Sequence, residues 1–192
     1  MKALNLYDKQ DIRLEEVPRP VIENKDDVII KVKAAGICGS DISRYNKLGP
    51  YVEGTTFGHE FSGEVVKIGS DVTTIKVGDR VAGCPTFYCG KCDSCKKGEL
   101  ARCENLHVMG AYHPGAFAEF TKLPEENVIP VPDNVVLILQ QWWNLLHWWR
   151  MVSTAPIFSL VQKWLSWDAE TSDCWQFNGR RFSVPNAYMR LI

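Results

Sequence analysis

Four cysteines lie close together in the segment CGKCDSCKKGELARC, where their thiols could hold a metal ion. Cys89, Cys92, Cys95 and Cys103 follow the spacing C-x2-C-x2-C-x7-C. Because such short spacings let one loop wrap an ion, four thiolates can close a tetrahedral shell around zinc and leave no open position. An iron–sulfur cluster or disulfides are the alternatives. We predict a structural zinc lobe here, and we interpret Cys84, just upstream, as a small buried residue on a strand.

A second set of metal-binding residue types stands earlier in the chain, in two short motifs flanked by glycines. GICGSD contains Cys38, Ser40 and Asp41, and GHEFSG contains His59 and Glu60. A thiolate, an imidazole and a carboxylate form a mixed shell, and three protein ligands plus water is the arrangement of catalytic zinc. Taken singly, the cysteine and the histidine would be ordinary buried residues. Their polar neighbours and flanking glycines favour a metal site instead.

The elements that must position these motifs are predicted to be short strands. They are DDVIIKVKAAGI, FSGEVVKIG, KVGDRVAG, GAFAEFTKLP and NVIPVP. These segments are rich in Val and Ile, alternate in part between apolar and polar residues, and are separated by Gly and Asp turn signals. Helical periodicity is nearly lacking. Residues 1–135 therefore predict a mainly β domain, built as a partly open barrel or sandwich.

Composition limits the class of protein. The chain has 192 residues, which is one domain or one domain plus part of another. A net charge of -1 and a pI near 6.4 do not favour nucleic acid or an anionic membrane as a partner. The apolar runs are shorter than the ~20 residues of a membrane helix, and MKALNLYDKQ has no signal-peptide core. We therefore expect a cytoplasmic protein, in which seven cysteines favour metal binding over disulfides.

The motifs resemble those of a known family. The run from Gly58 to Val72 fits G-H-E-x2-G-x5-G-x2-V, which is similar to the signature of the zinc-containing medium-chain alcohol and polyol dehydrogenases. The CGSD run and the four-cysteine lobe match the same family in the same order. The resemblance covers about residues 1–135, which correspond to the family's N-terminal catalytic domain. It implies a GroES-like, partly open barrel that carries a zinc lobe.

The resemblance also implies roles for individual residues. Cys38 and His59 would ligate catalytic zinc, and Glu60 would be a ligand or would swing in as one while water exchanges. Ser40 would take the proton of the substrate hydroxyl, and Asp41 would orient the histidine. Zinc would lower the pKa of the bound alcohol, which would then give hydride to NAD(P)+. The four lobe cysteines would hold structural zinc.

The segment CGSDISRYNKLGPY resembles the polyol-dehydrogenase branch and, within it, the galactitol-1-phosphate 5-dehydrogenases. This resemblance implies a small polyol or polyol phosphate as substrate and homo-oligomers as the usual assembly. A guanidinium outside the zinc pocket could hold a phosphate bidentately, so Arg44, with Lys47 as a second cation, is a candidate phosphate ligand. The alternative is that Arg44 is simply solvated surface.

The composition changes near residue 135. All seven tryptophans lie between Trp142 and Trp175, and the acidic residues beyond 135 are only Asp168, Glu170 and Asp173. The family continues with a Rossmann domain whose G-x-G-x-x-G loop binds the nicotinamide cofactor, and that motif does not occur here. We therefore expect that the Rossmann domain and its cofactor site are missing, and that the tail is irregular or weakly helical. A tail that lies on a membrane surface is disfavoured because it lacks the expected basic residues.

An out-of-frame tail explains the tryptophans. If the last base of each codon is read with the first two of the next, Trp142-Trp143 must encode Val and Trp143-Asn144 must encode Glu. The shifted frame permits AAMVEP, which resembles the family's domain junction. Through 165–181 it permits VMGCGNIGLLAVQWAK, which contains the missing fingerprint. We therefore predict that residues 136–192 are an aberrant tail, translated out of frame from the start of the Rossmann domain.

Three functions follow as hypotheses. The first is a zinc-dependent dehydrogenase of sugar alcohols or their phosphates, truncated here and of uncertain activity. The second is a non-catalytic zinc-binding module with a Trp-rich interaction tail. The third is metal storage or redox sensing by the four-cysteine lobe. We also expect aggregation, because a face that normally packs on the cofactor domain would be left wet.

Overall fold

The computed structural model describes residues 1–133, 174–177 and 180–183. The chain divides into two units, 1–144 and 145–192. In chain order, the strands of the first unit are β1 (Lys2–Asp8), β2 (Asp11–Glu16), β3 (Asp27–Gly36), β4 (Thr55–Thr56), β5 (Glu60–Ile68), β6 (Arg80–Gly83), β7 (Thr86–Phe87), β8 (His107–Val108), β9 (Phe120–Pro124) and β10 (Val128–Pro130). Its helices are α1 (Gly39–Ser43), a π-helical turn at Arg44–Leu48, α2 (Asp93–Lys96), and two 3₁₀ turns at Leu100–Arg102 and Glu125–Asn127.

A five-stranded antiparallel sheet carries the core, in the order β10-β6-β5-β3-β9. The apolar residues of β3 point inward together with those of its neighbours, as the Val- and Ile-rich segments predicted. The buried core cluster consists of Val28, Ile30, Val32, Phe61, Val65, Ile75, Val81, Met109, Ala116, Leu123 and Val128. Burial of each large member contributes about 1.5–3 kcal/mol of transfer free energy, so the sheet is a firm base for the loops that leave it.

The pairing of β3 with β5 brings two distant motifs together. Gly36, the last residue of β3, lies opposite Glu60, the first residue of β5. Cys38 follows the end of β3, and His59 immediately precedes β5. In an antiparallel pair, one strand ends at the same edge of the sheet where its neighbour begins. The chain segments at 38 and at 59–60 therefore emerge side by side.

A separate three-stranded sheet has the strand order β2-β1-β4. Its first two strands form a hairpin in which Leu4 lies opposite Leu14. Asn5 interrupts the apolar face, yet it is buried, and its amide donates to Glu15 Oε2 at 2.8 Å and accepts from Thr56 Oγ1 at 2.8 Å. These hydrogen bonds offset the cost of burying a polar side chain in the sheet.

The short strands β7 and β8 pair antiparallel and lead into and out of the cysteine-rich lobe. Thr86 lies opposite Val108, and Phe87 lies opposite His107. Between them the chain forms α2 and the 3₁₀ turn at Leu100–Arg102. The lobe is therefore a loop closed at its base by a two-residue strand pair.

The mainly β prediction is confirmed, and each of the five predicted segments contains a strand of the large sheet. In the second unit, β11 (Cys174–Phe177) pairs antiparallel with β12 (Arg180–Ser183). The remainder of the tail, to which the irregular or helical prediction applies, lies outside the described residues. Within the parts of the chain that the structure describes, no helix is long and apolar enough to cross a membrane.

Candidate functional site

Cys38, His59 and Glu60 converge at the edge where β3 ends and β5 begins. One ligand atom from each of these residues lies within 4.8 Å of the other two, and all three side chains are half-buried. A thiolate, an imidazole nitrogen and a carboxylate oxygen are the donor types that zinc accepts in an open, three-ligand site. The structure therefore brings the predicted ligand set together, and its donor chemistry fits zinc.

Asp41 links two of these three residues. Its buried carboxylate accepts a hydrogen bond from the backbone N–H of Cys38 at 2.9 Å through Oδ2. Its Oδ1 lies 3.3 Å from Nδ1 of His59. With Nδ1 engaged in this way, Nε2 of the imidazole is the nitrogen left for a metal. Asp41 therefore contacts both Cys38 and His59, and its orienting role stays a prediction.

The charges at this site favour a cation. Burial on its own would lower the pKa of His59, but the hydrogen bond to Asp41 and the charges of Asp41 and Cys38 raise that pKa to about 9. Burial raises the pKa of Glu60, against the influence of the imidazolium of His59. Acidic and thiol groups thus surround the imidazole, and this surrounding would equally stabilise a bound metal cation.

Two glycines allow the chain to pass through this region. Gly58 has φ of 89°, and a Cβ added there would clash with the ring of Phe117. At Gly63, a Cβ would clash with the backbone carbonyl of Lys31 on the neighbouring strand β3. Backbone conformation and strand packing therefore require the two glycines of the G-H-E-x2-G spacing.

A cavity of about 410 Å³ has His59, one of the three candidate ligands, in its wall. Its wall is formed by α1 and the π-helical turn on one side and by residues 108–112 on the other. Among the lining side chains are Ser40, Asp41, Arg44, Tyr51, Phe57 and His59. Oγ of Ser40 lies 3.5 Å from Nε2 of His59, at the side of the imidazole that faces the predicted metal. A small alcohol in this cavity would lie within reach of both groups.

Arg44 lies on the wall of the same cavity. Its guanidinium carbon is 3.5 Å from the centre of the Tyr51 ring, and Nη1 donates to the carbonyl oxygen of Gly49 at 3.4 Å. Stacking and one hydrogen bond hold the guanidinium in place on the cavity wall. Lys47 is exposed and does not line the cavity, so the geometry supports Arg44 more than Lys47.

The second cluster is the four-cysteine lobe. The Sγ atoms of Cys89, Cys92, Cys95 and Cys103 all lie within 4.8 Å of one another. Backbone N–H groups point at the sulfurs: that of Cys89 donates to Cys103 Sγ at 3.3 Å, and those of Lys91 and Cys92 donate to Cys89 Sγ at 3.4 Å. Such hydrogen bonds stabilise thiolates and are expected in a metal-binding cysteine loop.

The electrostatics of the lobe also fit a metal ion. The backbone N–H of Lys91, followed by that of Cys92, lowers the pKa of Cys89 to about 6. Burial, followed by the neighbouring thiols, raises the pKa of Cys95 to about 12. Four thiols this close cannot all ionise while their charges repel one another, and a divalent cation relieves that repulsion. The donor set therefore fits a closed tetrahedral zinc site.

Some residues near the site carried no recognisable sequence signal. Tyr51 and Tyr112 pack across the cavity with ring centres 4.9 Å apart, and neither belongs to a metal or catalytic motif. Met109, which lines the same cavity, also belongs to the buried core. The prediction that Cys84 is buried on a strand is wrong, because the residue is half-buried and follows the last residue of β6. Its Sγ lies 3.4 Å from the hydroxyl of Thr86, and it belongs to neither cluster found among the described residues.

A protein-family profile and individual known proteins resemble this chain. A family profile described as the alcohol dehydrogenase GroES-like domain matches residues 24–133. The chain is 39% identical over 172 residues to an L-threonine 3-dehydrogenase of Rhizobium etli, covering 84% of this chain and 47% of the relative. It is 41% identical over 141 residues to the sorbitol dehydrogenase of Bacillus subtilis, covering 70% of this chain and 39% of the relative.

A solved structure also resembles this chain in its fold. The galactitol-1-phosphate dehydrogenase of Escherichia coli superposes with a TM-score of 0.70 at 33% identity, covering 74% of this chain and 41% of that one. The chain thus spans less than half the length of these relatives. With the metal-ligand clusters and the sheet described above, these matches place the chain in the zinc-dependent medium-chain alcohol dehydrogenase family, with residues 24–133 as its GroES-like domain.

Proposed function

We propose that the chain provides the metal-binding half of a zinc-dependent dehydrogenase that oxidises a small polyol or polyol phosphate with NAD(P)+. The observation that carries this proposal is the convergence of Cys38, His59 and Glu60 beside a cavity of about 410 Å³. An open mixed-ligand site next to a cavity can hold a substrate oxygen, whereas a closed four-thiolate site cannot.

Each side chain at the open site has a distinct task in this proposal. Cys38 and His59 hold the metal, and Glu60 is the third ligand or an exchangeable one. Asp41 keeps the imidazole in the correct tautomer, and Oγ of Ser40 accepts the proton of the substrate hydroxyl. Bound zinc would supply Lewis acidity that lowers the pKa of the alcohol, and NAD(P)+ would accept the hydride.

For the substrate we propose a phosphorylated sugar alcohol, related to galactitol 1-phosphate. Arg44 supports this choice because its guanidinium is fixed against Tyr51 on the cavity wall. A bidentate contact between a guanidinium and a phosphate is among the stronger polar contacts available to a protein. The names of the relatives offer L-threonine and sorbitol as competing substrates, so the substrate has to be tested directly.

A cytoplasmic location fits this proposal, because the four lobe thiols must stay reduced to bind metal. The nicotinamide would bind outside the described residues. We also propose that residues from about 136 onward are an out-of-frame reading of the cofactor domain. Sequencing the coding DNA tests this idea. A single-base insertion or deletion near codon 136, with the G-C-G-N-I-G stretch restored in the corrected frame, would support it, and an uninterrupted frame without that stretch would contradict it.

Zinc content is the first test of the metal sites. Elemental analysis of the purified chain should give two zinc ions per chain, one for each cluster. Cys38→Ser with His59→Gln should remove one zinc, and Cys95→Ser should remove the other. If the unsubstituted chain and the variant carrying both Cys38→Ser and His59→Gln each held one zinc, only the lobe would bind metal. That result would favour the non-catalytic module instead.

Activity is the second test. We expect the frame-corrected protein, which regains the cofactor domain, to reduce NAD+ or NADP+ with galactitol 1-phosphate at a lower KM than with galactitol, sorbitol or L-threonine. Arg44→Ala should raise the KM for the phosphorylated substrate alone, and Arg44→Lys should restore part of it. An unchanged preference in Arg44→Ala would overturn the phosphate assignment. The frame-corrected protein is the comparison that separates a wrong substrate from a missing cofactor domain.

A further inference from the structure

Two histidines lie together outside both cysteine-containing clusters. Nδ1 of His107 and Nε2 of His113 are 3.2 Å apart, and the two ring centres are 5.3 Å apart. Neither residue has a part in the proposed dehydrogenase chemistry. Both side chains are exposed, so the pair is open to ions in solution.

The surrounding structure holds both imidazoles in place. His107 is fixed by the pairing of β8 with β7, where it lies opposite Phe87. The chain then turns back, and the backbone N–H of Gly110 donates to the carbonyl oxygen of His113 at 2.8 Å. The ring of His113 meets the ring of Phe87 edge-on at 5.0 Å, and the ring of His107 packs on Tyr112 at 5.1 Å. A ligand that needs both rings therefore pays little conformational entropy to bring them together.

The spacing of the nitrogens suits a shared metal ion. With zinc–nitrogen bonds of about 2.0–2.1 Å, two nitrogens on one tetrahedral ion lie about 3.3–3.4 Å apart. The observed 3.2 Å is close to that value. Burial, followed by the charge of His107, lowers the pKa of His113. Water can complete the coordination on the exposed side.

We propose that His107 and His113 form an additional metal site for a divalent ion that favours imidazole, such as Zn²⁺ or Ni²⁺. The site has only two protein ligands, so it is weaker than either cysteine-containing cluster and fills only in excess metal. Tyr112, which packs on His107, also lines the candidate substrate cavity. An ion bound by the pair would therefore fix the turn at 108–113, which forms one wall of that cavity.

The test uses the full chain, first loaded with zinc and dialysed, then titrated with Zn²⁺ by calorimetry. We expect one more equivalent to bind. His107→Gln and His113→Gln should each weaken this binding at least tenfold. His147→Gln, which removes an imidazole from outside the described residues, is the matched control and should leave it unchanged. Retention of the tightly bound zinc in every variant would show that each has folded.

Imidazole ¹⁵N spectra of the unsubstituted chain provide a second readout of metal binding. The chain has four histidines, so their signals can be assigned by single substitutions. Added Zn²⁺ should shift Nδ1 of His107 and Nε2 of His113 together, at the same metal concentration. Failure of the additional equivalent to bind would overturn the proposal, as would binding that is equal in His107→Gln, His113→Gln and His147→Gln.

Discussion

The two cysteine-containing clusters differ in how the chain builds them. The lobe takes all its ligands from one loop between Cys89 and Cys103, and all are thiols within 4.8 Å of one another. The open site takes Cys38 from the segment after β3 and His59 with Glu60 from the start of β5. His59 of the open site lines a cavity of about 410 Å³, whose wall contains none of the four lobe cysteines.

Because of this difference, we expect the two clusters to differ in how strongly their local structure depends on a bound metal and on the surrounding sheet. In the lobe, short helices and turns surround the sulfurs, so metal binding would itself hold the loop together. At the open site, the paired strands β3 and β5 already hold the backbone in place, so a bound metal would add less to stability there.

Loss of one lobe thiol should be the most damaging change. We expect Cys95→Ser to release the lobe metal and to lower Tm by at least about 10 °C, because the free energy of metal binding is part of the free energy of folding. Cys38→Ser should release the other metal with a much smaller change in Tm. Cys84→Ser, outside both clusters, is the control. Calorimetric melting measures the Tm of the three variants, and elemental analysis measures their zinc content. An equal decrease in Tm for Cys95→Ser and Cys38→Ser would contradict the expected difference between the two clusters.

The next largest effect should come from Asp41, which contacts both Cys38 and His59. Asp41→Asn removes the negative charge that orients the imidazole, and we expect zinc affinity at the open site to fall about 10–100-fold. The lobe should keep its metal, since Asp41 has no contact there. Competition with a coloured zinc chelator would resolve the two classes of site, and equal release from both would contradict this assignment.

A backbone change should have an intermediate effect. Gly58→Ala forces a side chain into φ of 89° and against Phe117, and we expect it to destabilise the fold by about 1–3 kcal/mol. Gly39→Ala is the matched control, because a Cβ there meets nothing within 4 Å. Urea unfolding of both variants measures the difference. Similar midpoints for the two would mean that the strand edge tolerates distortion next to His59.

Much of the site could be predicted from the sequence because its motifs are local. The lobe spacing is contained in 15 consecutive residues, and the strand pattern placed one motif after β3 and the other before β5. Antiparallel pairing then accounts for their convergence. The hairpin β1–β2 was not among the predicted strands, because buried Asn5 disrupts the apolar alternation and is compensated by Glu15 and Thr56, which lie elsewhere in the sequence.

Contacts made by loops could not be predicted. The stacking of Arg44 on Tyr51 depends on a π-helical turn at Arg44–Leu48, and RYNKL carries no pattern that distinguishes such a turn from an ordinary helix. Likewise, His107 and His113 meet because of a turn that follows a two-residue strand. Side-chain positions on the cavity wall therefore required the structure, although the metal ligands did not.

The smallest effect should come from a carboxylate in the lobe that resembles Asp41 only in charge. Glu99 pairs with Arg102 at 3.0 Å, but both side chains are exposed, at 48% and 76% of their surface. Because solvent screens such a pair, Glu99→Gln should change stability by less than ~0.5 kcal/mol and leave both metals bound. Urea unfolding and zinc analysis, run beside Asp41→Asn, check this. A metal loss in Glu99→Gln that equalled the loss in Asp41→Asn would mean that net negative charge, rather than the bridging position of Asp41, determines metal retention.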